Sequence, residues 1–132
     1  HSGALDEKER EMQKTILVIE DEIPLGEAIK LKLEGRGYRV IHTTQAEEGI
    51  RILQSENVDC IWLDIRLPGM DGIQFLELLR KDEVLKTKRV VVVSVSGTFD
   101  TREEVEKLGI DDYIVKSEHT LDAIVTRVTE HV

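Results

Sequence analysis

The chain has 132 residues, of which 27 are acidic and 18 are basic, so its formal net charge is -9. This length corresponds to one domain that can bury a core without disulfide bonds or a structural metal. The acidic balance argues against nonspecific nucleic-acid binding, and no apolar run approaches the ~18 residues that a membrane span needs. A single cysteine, Cys60, cannot form an internal disulfide, which favours a cytoplasmic location.

The N-terminal segment differs in composition from the rest of the chain. His1–Lys14 is polar and dense in charge, with Leu5 and Met12 as its sizeable apolar residues. We predict that it is a flank, disordered or left over from cloning, and that one domain follows from Thr15 to Val132.

Short apolar runs then alternate with helical periodicity. The predicted strands are Ile16–Ile19, Tyr38–Ile41, Cys60–Leu63, Val90–Val93 and Tyr113–Val115. The predicted helices are Pro24–Leu33, Thr44–Leu53, Ile73–Arg80, Thr101–Leu108 and Leu121–Val128. Most of the strands are continuously apolar, as expected when both faces of a parallel sheet are covered. A strand-helix order repeated five times predicts an α/β fold with helices on both faces of that sheet.

Two of the predicted helices begin with the spacing of a capping box. Thr44 is followed three residues later by Glu47, and Thr101 is followed by Glu104. We therefore expect Thr44 and Thr101 to be the N-caps of their helices. Gly109 is expected to end the second of them.

Charged and hydroxyl residues directly follow four of the predicted strands. Glu20 and Asp21 follow the first strand, Asp64 the third, Ser94 the fourth and Lys116 the fifth. Ligands of such sheets bind beyond the carboxyl ends of the strands, so these residues are expected to meet. Clustered carboxylates attract a hard cation such as Mg²⁺, and a carboxylate can accept a phosphoryl group. The simpler interpretation of Lys116 is an ion pair with one of these carboxylates.

The same residues lie in longer motifs. These are Ile19–Glu22, Leu63–Gly72, Ser94 and Gly109–Lys116. With them, the sequence from Thr15 to Val132 resembles the receiver domain of two-component response regulators. The resemblance implies a flavodoxin-like (βα)5 fold, in which a doubly wound, five-stranded parallel sheet has the strand order 2-1-3-4-5.

The resemblance also implies a phosphoacceptor and a metal site. Asp64 would be the phosphoacceptor. Glu20 and Asp21 would hold Mg²⁺, or Mn²⁺ in its place, together with Asp64 and the backbone carbonyl of Arg66.

Three further residues would respond to the phosphoryl group. Lys116 and the switch hydroxyl of Ser94 would contact it, and Tyr113 would be the aromatic residue that turns inward when the hydroxyl shifts.

The donor would be a phosphohistidine of a sensor histidine kinase or a histidine phosphotransfer protein. The output would be a changed surface around the last two predicted helices and the fifth strand, which is also where a homodimer would form. The domain would assist its own phosphorylation and dephosphorylation without turning over a substrate, so we do not expect an enzyme. Neither direct nucleic-acid binding nor membrane association by this domain is expected.

The sequence departs from the family pattern after Ser94 and after Lys116. Val95 stands where a small residue is usual, and we predict that its stiff, branched side chain narrows access to Asp64. Ser117 stands where a cis proline is usual, and a cis bond before serine would be costly. These departures keep open an alternative, a phosphorylation-independent interaction domain with the same fold.

Arg66, two residues after Asp64, leaves two questions open. Its side chain either reaches over the pocket to the phosphoryl group or is a solvated loop arginine. A phosphatase acting through an aspartyl phosphate would usually have an acidic residue at this position, which makes that third function the least favoured.

Overall fold

The computed structural model describes residues 4–95 and 99–132, and they form one parallel sheet flanked by helices. The strands are β1 (Thr15–Ile19), β2 (Arg39–Thr43), β3 (Cys60–Leu63), β4 (Arg89–Ser94) and β5 (Asp112–Val115). Their order in the sheet is β2-β1-β3-β4-β5, and every neighbouring pair is parallel. The predicted five-stranded sheet and its order 2-1-3-4-5 are therefore confirmed.

Within residues 4–95 and 99–132, six α-helices accompany the sheet. They are α1 (Glu7–Met12), α2 (Ile23–Glu34), α3 (Ala46–Ser55), α4 (Gly72–Lys81), α5 (Phe99–Leu108) and α6 (Leu121–Thr129). Helices α2 to α6 correspond to the five predicted from periodicity. Helix α1 lies within the polar flank, is capped by the Asp6 side chain and buries none of its residues. The first three residues of this flank lie outside the described part of the chain.

The core lies in two layers, one on each face of the sheet. On one face, α3, α4 and α5 pack against inward-facing residues such as Leu17, Ile61 and Val92. On the other, α2 and α6 pack against residues such as Val18 and Trp62. Because both faces are covered, β1 and β3 are buried along their whole length, which explains their uninterrupted apolar sequences. None of the helices formed by the described residues has the length and apolar character to cross a membrane.

Both predicted capping boxes are wrong. Helix α3 has Gln45 as its N-cap, one residue after Thr44, and no side chain caps it. Helix α5 already begins at Phe99, so Thr101 lies inside it.

A capping box does form at α4, where Asp71 is followed three residues later by Gln74. The side chain of Asp71 accepts the Gln74 N–H, and the Gln74 side chain accepts the Asp71 N–H. This box fixes the start of the helix that follows the loop after Asp64.

Candidate functional site

The carboxyl end of the sheet brings the predicted acidic residues together. Ile19 and Leu63 are register partners on β1 and β3, so the residues after them, Glu20 and Asp64, lie side by side. The Asp64 N–H donates to the Ile19 carbonyl over 3.1 Å. Carboxylate oxygens of Glu20, Asp21 and Asp64 all lie within 4.8 Å of one another. Glu20 and Asp64 are buried, whereas Asp21 is exposed.

Lys116 reaches the same cluster from the end of β5. Its Nζ donates to Glu20 Oε1 over 2.5 Å and to Asp64 Oδ2 over 3.1 Å. The described residues contain no cis peptide bond, so the Lys116–Ser117 peptide is trans. The lysine is thus placed on both buried carboxylates without the usual proline.

Burial and charge set the protonation of this cluster. Burial raises the pKa of Asp64 to about 6, against the lowering effect of the Lys116 ammonium and with a further raising effect from the Glu20 charge. Burial opposes the charged form of Lys116, yet the hydrogen bond that Lys116 donates to Glu20 and the Asp64 charge raise the pKa of Lys116 above its ordinary value. The lysine therefore stays protonated, and Asp64 is ionised above pH 6.

Three carboxylates and one ammonium leave a surplus of negative charge at this edge. Like charges this close repel, and one cation cannot neutralise all three. All the side-chain donor atoms are oxygens, the ligand type that hard divalent cations take. Glu20, Asp21 and Asp64 therefore form a cluster that could hold a metal ion.

The loop after Asp64 is tightly tied to it. Asp64 Oδ1 accepts the Arg66 N–H over 3.3 Å, and Gly72 donates its N–H to the Ile65 carbonyl over 2.8 Å. A Cβ at Gly72 would lie only 2.5 Å from the Asp64 carbonyl oxygen, so glycine is required for this approach of α4. The Arg66 side chain is exposed and makes no hydrogen bond or ion pair with the described residues.

Of the remaining predicted residues, Ser94 ends β4 and Tyr113 lies within β5, the two strands that follow β3 in the sheet. Ser94 and Tyr113 are both buried, at 2% and 3% exposure. Val95, the next residue after Ser94, is 51% exposed, so its side chain is not packed into the core. The prediction that Val95 narrows the access of a phosphodonor from solvent to Asp64 stays a prediction.

Two contacts at the site were not predicted from the sequence. The Arg102 guanidinium lies over the Tyr113 ring, 5.2 Å from its centroid. Glu47 Oε2 accepts the Met70 N–H from the loop after Asp64, over 3.3 Å. No local sequence signal marks either contact, because each joins residues that only the packing of a helix brings together.

Comparisons with known proteins agree on one family. The family model for the response regulator receiver domain matches residues 16–129. The phosphate regulon transcriptional regulatory protein PhoB of Pseudomonas aeruginosa is 32% identical over 103 residues, which are 78% of this chain and 45% of that protein.

Solved structures agree with this. A CheY-like receiver domain protein from Methanospirillum hungatei has a TM-score of 0.81 and 25% identity, over 89% of this chain and 92% of that chain. The phosphorylated cyanobacterial phytochrome response regulator RcpA has a TM-score of 0.79 and 27% identity, over 89% and 90%. The chain spans about half the length of the curated relatives it matches.

Proposed function

Because this chain belongs to the response regulator receiver domains of two-component signalling, we propose that Asp64 accepts a phosphoryl group from a phosphohistidine. The donor is a sensor histidine kinase or a histidine phosphotransfer protein, and the reaction takes place in the cytoplasm with Mg²⁺. The observation that carries the proposal is the placement of Asp64, a buried carboxylate that touches Lys116 and lies within 4.8 Å of two further acidic residues.

Phosphoryl transfer to Asp64 releases the imidazole of the donor's histidine as the leaving group. A carboxylate oxygen of Asp64 forms a bond to phosphorus while the phosphorus–nitrogen bond breaks, and the departing imidazole nitrogen takes up a proton from solvent. Above pH 6, Asp64 is ionised and ready to attack. The Arg66 N–H and Lys116 Nζ hold different oxygens of the carboxylate and so fix its orientation.

A bound Mg²⁺ would neutralise charge on the transferring group. Glu20, Asp21 and Asp64 would hold it, and the family pattern adds the carbonyl of Arg66. These ligand atoms fit Mg²⁺, because this ion binds to a few carboxylate oxygens and keeps water molecules at its solvent-facing positions. Exposed Asp21 lies on that solvent-facing side.

The response to phosphorylation would run through Lys116, Ser94 and Tyr113. Lys116 now bridges Glu20 and Asp64, and a phosphoryl group on Asp64 offers its ammonium a more highly charged partner. Ser94, buried at the end of β4, would move toward a phosphoryl oxygen, and Tyr113 on β5 would follow. The surface of α5, β5 and α6 would then change, which is where a partner or a second copy would bind.

We further propose that the domain is not an enzyme. It would promote its own phosphorylation, which forms an acyl phosphate on the domain itself, and the hydrolysis that removes this group, rather than turn over a separate substrate. Control of an output such as transcription, which the name of PhoB states for that protein, would need parts beyond this domain.

A small phosphodonor tests the proposal. Acetyl phosphate with Mg²⁺ should add one phosphoryl mass to the wild-type chain and none to Asp64→Asn, measured by mass spectrometry. Asp59→Asn is the matched control. Asp59 directly precedes β3, at the amino end of the sheet, whereas Asp64 directly follows β3 at the carboxyl end. This variant should be phosphorylated like the wild type.

Other outcomes separate the competing functions. A chain that stays unmodified with acetyl phosphate and with a cognate kinase would be a phosphorylation-independent interaction domain. Turnover of phosphate esters by the wild type, lost in Asp64→Asn, would indicate a phosphatase.

A further inference from the structure

Glu47 lies on the first turn of α3 and faces the loop of residues 65–71 rather than its own helix. Its Oε2 accepts the Met70 N–H over 3.3 Å. The same oxygen lies 2.6 Å from where a Cβ would stand at Gly69, whose φ is +71°. A side chain at 69 would displace the carboxylate, so the glycine both forms the turn and admits Glu47.

Stability alone does not account for this carboxylate. Glu47 Oε1 is buried and receives no hydrogen bond from the described residues. A buried acceptor without a donor lowers stability, so such groups are uncommon unless something else retains them. Helix capping does not retain it either, because α3 has no side-chain cap and its N-cap is Gln45.

The loop that Glu47 contacts is the one that builds the metal site. It begins directly after Asp64, and its Arg66 N–H donates to Asp64 Oδ1. Its other hydrogen bonds, in the capping box of α4 and between Gly72 and Ile65, are made within the loop or with the helix that follows. Glu47 anchors it instead to α3, a separate element.

We propose that Glu47 is a positioning residue of the metal site. By holding the Met70 N–H, it fixes the loop so that the Arg66 backbone and Asp64 keep the geometry that a divalent cation requires. This inference rests on the proposed function, in which that cation is Mg²⁺. Outer partners of this kind commonly change metal affinity without touching the ion.

Two variants separate the reach of the side chain from its charge. Glu47→Asp keeps the charge but is one methylene too short to reach Met70, and its Mg²⁺ dissociation constant should rise about tenfold. Glu47→Gln loses the charge but keeps an oxygen that can accept the Met70 N–H, and its affinity should stay within about twofold of the wild type. Isothermal titration calorimetry with Mg²⁺ alone gives both values. Glu48→Gln, next to it and paired with Arg51 on the surface, is the control and should bind like the wild type.

Hydrogen exchange of the Met70 amide, measured by NMR without metal, gives a second readout. Exchange should be faster in Glu47→Asp than in the wild type and unchanged in Glu47→Gln. Equal Mg²⁺ affinity of Glu47→Asp and wild type, or a loss in Glu47→Gln alone, would overturn the positioning role. In those cases wild-type Mg²⁺ binding that depends on Asp64 would leave the proposed function standing, whereas a folded wild type that binds no Mg²⁺ would overturn both.

Discussion

The two ends of the sheet carry the same kinds of charged residue and use them differently. At the carboxyl end, Glu20, Asp21, Asp64 and Lys116 face one another, and the negative charges outnumber the positive one. At the amino end, Asp59, Asp111, Arg80 and Lys88 are bound to backbone groups. Asp112, at the start of β5, forms a complete ion pair with Arg127. Charged side chains that hydrogen-bond to the main chain stabilise the fold. The carboxylates at the carboxyl end outnumber the one ammonium that faces them, so they could also bind a cation.

The amino end contains two aspartates with the same arrangement. Asp59, just before β3, accepts the Thr15 N–H through its carboxylate and donates its own N–H to the Thr15 carbonyl, each over 2.8 Å. Asp111, just before β5, does the same with Val90, again at 2.8 Å. Each aspartate thus clamps the start of the neighbouring strand.

Arg80 and Lys88 complete this end of the molecule. The Arg80 guanidinium donates to the carbonyl oxygens of Gly109, Lys86 and Lys88 over 2.7–3.1 Å. Lys88 Nζ donates to the Val58 carbonyl over 2.9 Å. These side chains join the loops that precede β3, β4 and β5, and their donors face backbone oxygens rather than a ligand site.

The largest expected effect comes from removing the one cation at the carboxyl end. Lys116→Met should lower the free energy of unfolding by about 4 kcal/mol at pH 7.5 without metal, because it leaves Glu20 and Asp64 buried and unpaired. Urea denaturation measures this, and added Mg²⁺ should recover part of the loss. Lys86→Met breaks an exposed pair with Glu83 and should cost far less. Equal losses in the two variants would contradict the comparison.

The opposite change, removal of a buried negative charge, should stabilise the protein. The pKa of Asp64 is about 6 in the folded chain and near 4 when unfolded, so the folded state binds the proton more tightly. Its contribution to stability is therefore full below pH 4 and is lost as pH rises through 6. At pH 7.5 without metal, Asp64→Asn should raise the free energy of unfolding by about 3 kcal/mol, from about two pKa units at ~1.4 kcal/mol each.

A pH series distinguishes this origin from others. The advantage of Asp64→Asn over the wild type should shrink as pH falls from 7 to 4, measured by urea denaturation at each pH. Exposed Glu27, on α2 and outside this cluster, provides the control, since Glu27→Gln should show little change in stability at any pH. An advantage of Asp64→Asn that is the same at pH 4 and pH 7 would show that buried charge is not its cause.

Removal of a clamp at the amino end should have the reverse sign and a smaller size. Asp59→Ala and Asp111→Ala should each lower the free energy of unfolding by about 2 kcal/mol, because a strand N–H loses its acceptor. Mg²⁺ affinity should be unchanged, which calorimetry can check. A change in Mg²⁺ affinity without loss of stability would contradict the proposal that the amino end stabilises the fold and the carboxyl end binds the cation.

The smallest effect on stability is expected at Val95. Because its side chain is 51% exposed, Val95→Ala should change the free energy of unfolding by less than about 0.5 kcal/mol. Phosphorylation by acetyl phosphate and subsequent hydrolysis should both become faster, measured by the time course of the phosphorylated mass. Unchanged rates would rule out the steric role of this valine.

The sequence predicts the fold where burial dictates composition. The apolar runs of β1, β3 and β4 leave no polar face, so they predict a covered parallel sheet. The strand order was implied by the family resemblance instead, and it is confirmed. Glu20, Asp21, Asp64 and Lys116 were expected at one edge because each follows a parallel strand, and the structure brings them together there.

What sequence could not predict depends on packing between distant segments. Glu47 has the local spacing of a capping residue, yet it bonds to Met70, 23 residues away, once α3 packs against the loop. The difference between buried Glu20 and exposed Asp21 also depends on tertiary packing, because both are acidic residues that directly follow β1 and no local pattern distinguishes them.

The contact between α4 and the main chain of Asp64 has a practical consequence. Because a Cβ at Gly72 would collide with the Asp64 carbonyl oxygen, the first residue of α4 approaches the main chain of Asp64 directly. The capping box also holds the start of α4 in place. Because this contact contains no side chain that could change rotamer, we expect a structural change at Asp64 to be transmitted through the side chains of β4 and β5 instead. A fluorescent label on the outer surface of α4 would therefore serve as the silent reference in a biosensor, with the responding label on α5 or α6.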